Sequence, residues 1–145
     1  MLFRNAKTIL SSQNGMNLYR GCTHGCIYCD SRSVCYGFDH DFEEVEVKSN
    51  APVLLEETLR RRKSGCMIAT GSMCDPYQPA EKELCLTRNC LEIIDRHGFG
   101  LVLHTKSAMI LRDLDLLIHI QSQSKCVVQM TLTTYDEAQC SIVEP

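Results

Sequence analysis

The sequence predicts an α/β fold, a partial (βα) barrel made of its first four βα units. Short apolar runs alternate with amphipathic helical patterns four times along the 145 residues. Such alternation argues for a parallel sheet joined by helical crossovers. Every chemically unusual stretch also follows a strand: the cysteine loop after Arg20, the loop from Gly71, Thr105-Lys106-Ser107 and Thr131. In a (βα) barrel the ligand site lies at the carboxyl ends of the strands, so one shared site is expected there.

Residues 1–15 read as a lead segment and residues 16–145 as the core. Met16–Arg20 is expected as a first strand running into Gly21, followed by the polar, acidic stretch DHDFEEVEVKSN. Pro52 suits a first helical turn, where its missing N–H is not needed. Leu55 and Leu59 give that helix an i, i+4 apolar stripe, and Gly65 stops it. Arg60-Arg61-Arg62-Lys63 reads as its solvated end, since cations are favoured near a helix C-terminus. Residues 66–70 form the second strand pattern and GSMCDPYQPAE a loop with two turn-forming prolines. A helix bearing Leu84, Leu91 and Ile94 follows, closed by Gly98. Leu101–His104 read as the third strand, Leu114–Ile120 as a helix opened by Asp113, and Cys126–Leu132 as the fourth strand, with a short helix after it.

Hydrophobic residues make up 44% of the chain and charged residues 23%, as in ordinary globular domains. A net charge of −3 offers no global attraction for nucleic acid or an anionic membrane surface, so DNA binding has no support from charge. No apolar run reaches the roughly 18 residues of a spanning helix, and the first residues are too polar for a signal peptide. A cytoplasmic location is expected. Ten cysteines then imply a reducing compartment with a metal site among the thiols. Cys66, Cys85, Cys90, Cys126 and Cys140 lack C-x2-C spacing and read as small hydrophobes, arguing against a second cluster. His97, His104 and His119 read as ordinary helix and strand-end residues.

Cys22, Cys26 and Cys29 stand as C-x3-C-x2-C in CTHGCIYC, with Gly21 and Gly25 permitting a tight wrap. A closed zinc site takes four ligands and a disulfide two. Three thiolates suit three corners of a four-iron cube and leave the fourth iron open. Zinc is the alternative, with His24 or Cys35 as fourth ligand; His24 is expected to point away from the concave side of the loop, and Cys35 lies beyond a second turn.

CTHGCIYC resembles the cysteine motif of the radical S-adenosylmethionine (radical SAM) superfamily. NLYRGCTHGCIYCDSRS and DPYQPAEKELCLTR resemble its branch related to spore photoproduct lyase, a likeness that covers about residues 14–145. The resemblance implies the first four βα units of a radical SAM core, with a [4Fe-4S] cluster on Cys22, Cys26 and Cys29. It implies S-adenosylmethionine on the open iron, cleaved reductively to a 5′-deoxyadenosyl radical with electrons from a donor such as flavodoxin or ferredoxin. Tyr28 would then lie near the adenine, Cys74 and Asp75 near the methionine amino group, Lys106 on the methionine carboxylate, and Thr131 would add a hydroxyl. Two departures stand out. The family has six βα units, and this chain stops after the fourth, as a truncated product would. Ser72 occupies the place of the lyase's hydrogen-donor cysteine, with Cys74 two residues on as the candidate catalytic donor. A lyase acting on a DNA photoproduct is the enzyme reading, with the substrate itself unassigned. The alternative is a truncated, inactive iron–sulfur or zinc-binding remnant, or an interaction module.

Overall fold

A computed structural model describes residues 1–63 and 65–145. In chain order the elements are β1 (Leu2–Arg4), β2 (Gly15–Met16), β3 (Tyr19–Arg20), β4 (Glu46–Lys48), α1 (Ala51–Arg60), β5 (Met67–Thr70), α2 (Glu81–Leu84), α3 (Leu86–Arg96), β6 (Gly100–Thr105), α4 (Leu114–Gln123), β7 (Cys126–Met130) and α5 (Glu137–Val143), with 3-10 turns at Asp30–Arg32, Val34–Tyr36 and Ala108–Asp113. The fold is mixed α/β. Its main sheet is wholly parallel, in the order β2-β5-β6-β7, with Ile68 opposite Leu101 and Leu103 opposite Val128. A smaller sheet, β1-β4-β3, pairs β1 parallel and β3 antiparallel to β4.

The expected strand over 16–20 is two strands in two sheets. Consecutive strand residues point to opposite faces, yet Leu18 and Tyr19 are both 1% exposed. The chain therefore meets core on both sides there, leaves the main sheet after Met16 and joins β4. Val45 and Val47, buried within the acidic stretch, supply the partner strand.

Helical stripes cover one face of the main sheet. Leu55 and Leu59 of α1, Cys90, Leu91 and Ile94 of α3, and Leu117 and Ile120 of α4 share a core with Ile68, Leu101 and Leu103. Each such aliphatic side chain contributes about 1.5–3 kcal/mol on burial, which anchors helices this short. Met67, Ala69, Val102 and His104 alternate to the other face and are only half-buried. Among the described residues no helix is long and apolar enough to cross a membrane.

Two helix boundaries depart from expectation for one reason. The helix carrying Leu84 and Leu91 breaks at Cys85, which has a left-handed φ of 49°. The break lets Glu81 reach forward and accept the Thr87 N–H at 3.0 Å, capping α3 from the preceding turn. Asp113 does not cap α4 with its side chain; it turns inward instead. Glu81 and Asp113 are both 0% exposed, and Arg112 bridges them, 2.9 Å from Glu81 Oε1 and 2.7 Å from Asp113 Oδ2. The Tyr19 hydroxyl donates to Glu81; that of Tyr77 donates to Asp113 at 3.0 Å, and Arg88 reaches the same carboxylate at 2.9 Å. β7 ends at Met130, two residues before the expected Leu132.

Three substitutions test this frame. Removing Arg112 leaves two buried carboxylates with fewer partners, so Arg112→Met should cost about 3–5 kcal/mol in urea unfolding. Gly71 has φ 97°, and an added Cβ would lie 2.0 Å from the His104 carbonyl oxygen. Gly71→Ala should therefore cost about 3 kcal/mol from left-handed strain and steric overlap together. The helix-closing Gly98 (φ 68°) has open space around it, so Gly98→Ala should cost only about 1–2 kcal/mol.

Candidate functional site at the strand ends

Loops following β3, β5, β6 and β7 enclose one pocket of about 190 Å³. Cys22, Cys26, Tyr28, Cys29, Cys74, Asp75, Lys106 and Thr131 all line it. Thr131 does so from just beyond the end of β7 rather than from within the strand. His24 lines the pocket as well, against expectation, because its Nε2 is drawn to within 3.4 Å of Asp75 Oδ2. Cys35 is exposed and bonds Ser33 instead.

Asp75 organises the pocket. Its Oδ1 accepts from the Tyr77 N–H at 2.8 Å and the Thr105 hydroxyl at 2.6 Å, and its Oδ2 from the Lys106 N–H at 2.9 Å. Burial alone would push this carboxyl up. The contact from His24, the Thr105 hydroxyl and the two backbone N–H groups outweigh burial and hold it below the usual carboxylate range. Gln78, wholly buried, grips the cysteine loop by donating to Gly21 O at 3.2 Å and accepting from Thr23 N–H at 3.3 Å. That loop wraps through Gly21 and Gly25 at φ 89° and 75°.

The thiols differ sharply. Cys74 donates to the Tyr19 carbonyl at 3.0 Å, and burial pushes its thiol up to about 12. Burial also raises Cys22. Cys26 and Cys29 are half-buried, and the Lys106 ammonium lies 3.2 Å from Cys26 Sγ. Lys106 also pairs with Glu144 at 3.0 Å, and Glu144 accepts from the Tyr28 hydroxyl.

A second group lies at the start of β4. Asp39, His40 and Glu46 place one ligand atom each within 4.8 Å of one another, and among the described residues this is the group that meets as metal ligands do. His40 Nε2 is 2.7 Å from Glu46 Oε1, while its Nδ1 faces the Asp41 carbonyl at 2.9 Å. Arg4 and Arg20 also approach Glu46, at 3.4 and 3.2 Å. The hydrogen bonds that Glu46 and then the Asp41 carbonyl accept from the ring raise the His40 pKa. Sequence reasoning passed over this group as a polar connection. The adjacent Asp39-His40 pair, followed by valine alternation that seats Glu46 beside it, was the available signal.

Over 143 residues the chain is 33% identical to an uncharacterized protein of Methanocaldococcus jannaschii, covering 97% of this chain and 52% of that protein. It is 33% identical over 129 residues to an uncharacterized protein of Mycobacterium tuberculosis, covering 83% of this chain and 37% of that protein. An uncharacterized protein of the Acidianus two-tailed virus is 27% identical over 146 residues, covering 94% of this chain and 47% of that protein. The chain thus spans about half the length, or less, of these curated relatives. No family model matches it, and no solved structure does.

These findings correct the expected chemistry. The sulfurs of Cys22, Cys26 and Cys29 do not gather within 4.8 Å of one another, and the group that does is Asp39, His40 and Glu46. With no family or structural match beside it, that group overturns the radical SAM resemblance. The [4Fe-4S] cluster, S-adenosylmethionine as cofactor and the radical-generating lyase activity are set aside with it. The physical reason lies in the loop: Cys26 meets the Lys106 ammonium while Cys22 sits in the hydrophobic core, so these two thiols face different surroundings.

Asp75→Asn replaces a carboxylate that accepts three hydrogen bonds and should cost about 2–3 kcal/mol in urea unfolding. The folded carboxyl titrates below its unfolded value of about 3.9. Its stabilisation is therefore full above that pH and fades as the pH falls through the depressed folded value. The variant should show a shallower loss of stability below about pH 4 than the parent.

Proposed function

We propose that the chain is a metal-binding module rather than an enzyme, taking a divalent cation of the zinc class at Asp39, His40 and Glu46. The convergence of those three ligand atoms carries the reading. One imidazole nitrogen and two carboxylate oxygens form a donor set that suits zinc, with a fourth position for water or a partner's side chain. The contact between His40 Nδ1 and the Asp41 carbonyl is the kind of outer hydrogen bond that orients a ligating ring. Without an ion, the His40 imidazole and the nearby Arg4 and Arg20 face the Glu46 carboxylate. A cation binds the deprotonated imidazole, so binding weakens as the pH is lowered.

The module's frame is a partial (βα) barrel. In support, the main sheet runs β2-β5-β6-β7 in chain order without reversal, as a barrel does and a doubly wound sheet does not. A cytoplasmic location suits a chain whose ten cysteines are all free thiols.

Calorimetric titration with zinc tests the metal site. One ion per chain is expected, with affinity at least about tenfold weaker in His40→Ala and Glu46→Gln. Zinc binding that survives His40→Ala and is lost in Cys22→Ser or Cys26→Ser would move the site to the cysteine loop and overturn this reading.

A further inference from the structure

A separate cavity of about 170 Å³ opens on the smaller sheet, lined by Asn17, Arg20, Tyr36, Phe38, Lys48 and Met73 among others. Strand alternation puts Glu46 and Lys48 of β4 on one face and seats Val47 in the core on the other. Arg20, opposite Glu46 in β3, is fully engaged. It meets Glu46 Oε1 at 3.2 Å and donates to the Tyr36 and Gly37 carbonyls at 3.0 and 2.8 Å. Its guanidinium also lies 4.6 Å from the centre of the Phe38 ring, which Phe42 meets edge-on, so that ring is a fixed wall. Lys48 is different. Its half-buried ammonium donates to the Asn17 carbonyl at 2.7 Å, and among the described residues no carboxylate pairs with it. An ammonium carries three donors, so two stay open. The Asn17 side-chain amide lines the same space, its buried oxygen without a partner, and among the described residues the amide makes no hydrogen bond to the protein.

We propose that this cavity binds a small monocarboxylic acid with a compact apolar or aromatic body, its carboxylate on Lys48 Nζ and the Asn17 amide and its body against Tyr36, Phe38 and Met73. A charge taken partly out of water is costly until an opposite charge meets it, and a carboxylate supplies that partner. A dianion such as phosphate would call for a second free cation, and Arg20 is not free. The size fits as well: an apolar cavity of about 150 Å³ holds a benzene ring. Two aromatic rings and a thioether suit a flat or branched body, and the unbranched Met73 can adjust to its shape. Met73 also borders the strand-end pocket, so the bound acid lies one side chain away from it. The site draws on none of Asp39, His40 or Glu46, so it stands independently of the metal reading.

The test titrates the purified full chain, with a chelator present so that no metal is bound, with benzoate, isovalerate and the uncharged benzamide, read by calorimetry. Saturable one-site binding is expected for at least one of the two acids, and benzoate should bind at least about tenfold more tightly than benzamide if the aromatic body is the one accepted. Lys48→Met should weaken the acid that binds by about tenfold, and Lys48→Arg should keep most of the affinity. Tyr36→Ala leaves the ammonium in place and should weaken the same acid severalfold through its body alone. Urea unfolding confirms that each variant is folded. No saturable binding of either acid overturns the proposal, as does full affinity in folded Lys48→Met. Binding that survives Lys48→Met and is lost in Lys106→Met would move the acid to the strand-end pocket and overturn it too.

Discussion

Arg112 between Glu81 and Asp113 is the interaction on which the arrangement of the loops depends. Two carboxylates with no exposure are tolerable only when each is neutralised and fully hydrogen-bonded. Arg112 meets both, and Arg88, Tyr77, Tyr19 and the Thr87 N–H take up the remaining acceptor positions. The consequence is geometric. Glu81 stands at the end of the DPYQPAE loop after β5, while Asp113 closes the turn that follows β6. One guanidinium therefore ties two successive strand-end loops together. Tyr19, from the smaller sheet, joins the same knot, so the two sheets share a fixed point that neither hydrophobic stripe supplies.

From that knot the pocket inherits its order. Tyr77 is held by Asp113 at its hydroxyl and by Asp75 at its backbone N–H. Asp75 in turn orders the end of β6 through Thr105 and Lys106, and Lys106 presents its ammonium to Cys26. A chain of direct contacts thus runs from a buried ion pair to the Cys26 thiol. Each link is a hydrogen bond to a charged group, worth more than a neutral one and costly to leave half-made.

The parallel sheet was legible because its evidence is local. Runs such as Cys-Met-Ile-Ala-Thr and Leu-Val-Leu-His need only apolar, β-favouring residues between turn signals. Helices α1, α3 and α4 were legible from i, i+4 stripes. The smaller sheet was not, because β1, β3 and β4 are two or three residues long and pair only with strands distant in sequence, Leu2 with Glu46 and Tyr19 with Val47. The break at Cys85 was hidden for a related reason: the force that makes it is the Glu81 carboxylate capping a helix it does not belong to. Gathering at the strand ends could be anticipated from topology. What the gathered residues do could not, since spacing does not reveal which thiol meets an ammonium and which meets a carbonyl. Asp39 and Glu46 show the converse, seven positions apart and brought together only when β4 forms.

The ten cysteines show how far burial divides one residue type. Cys90 and Cys74 are pushed up to about 12, which keeps them neutral hydrophobes across the physiological range. Cys126 is raised by burial alone. Cys26 is half-buried at the pocket wall, with the Lys106 ammonium 3.2 Å from its sulfur. Depth in the core shields Cys22, Cys74 and Cys90 from adventitious oxidation at no cost in packing.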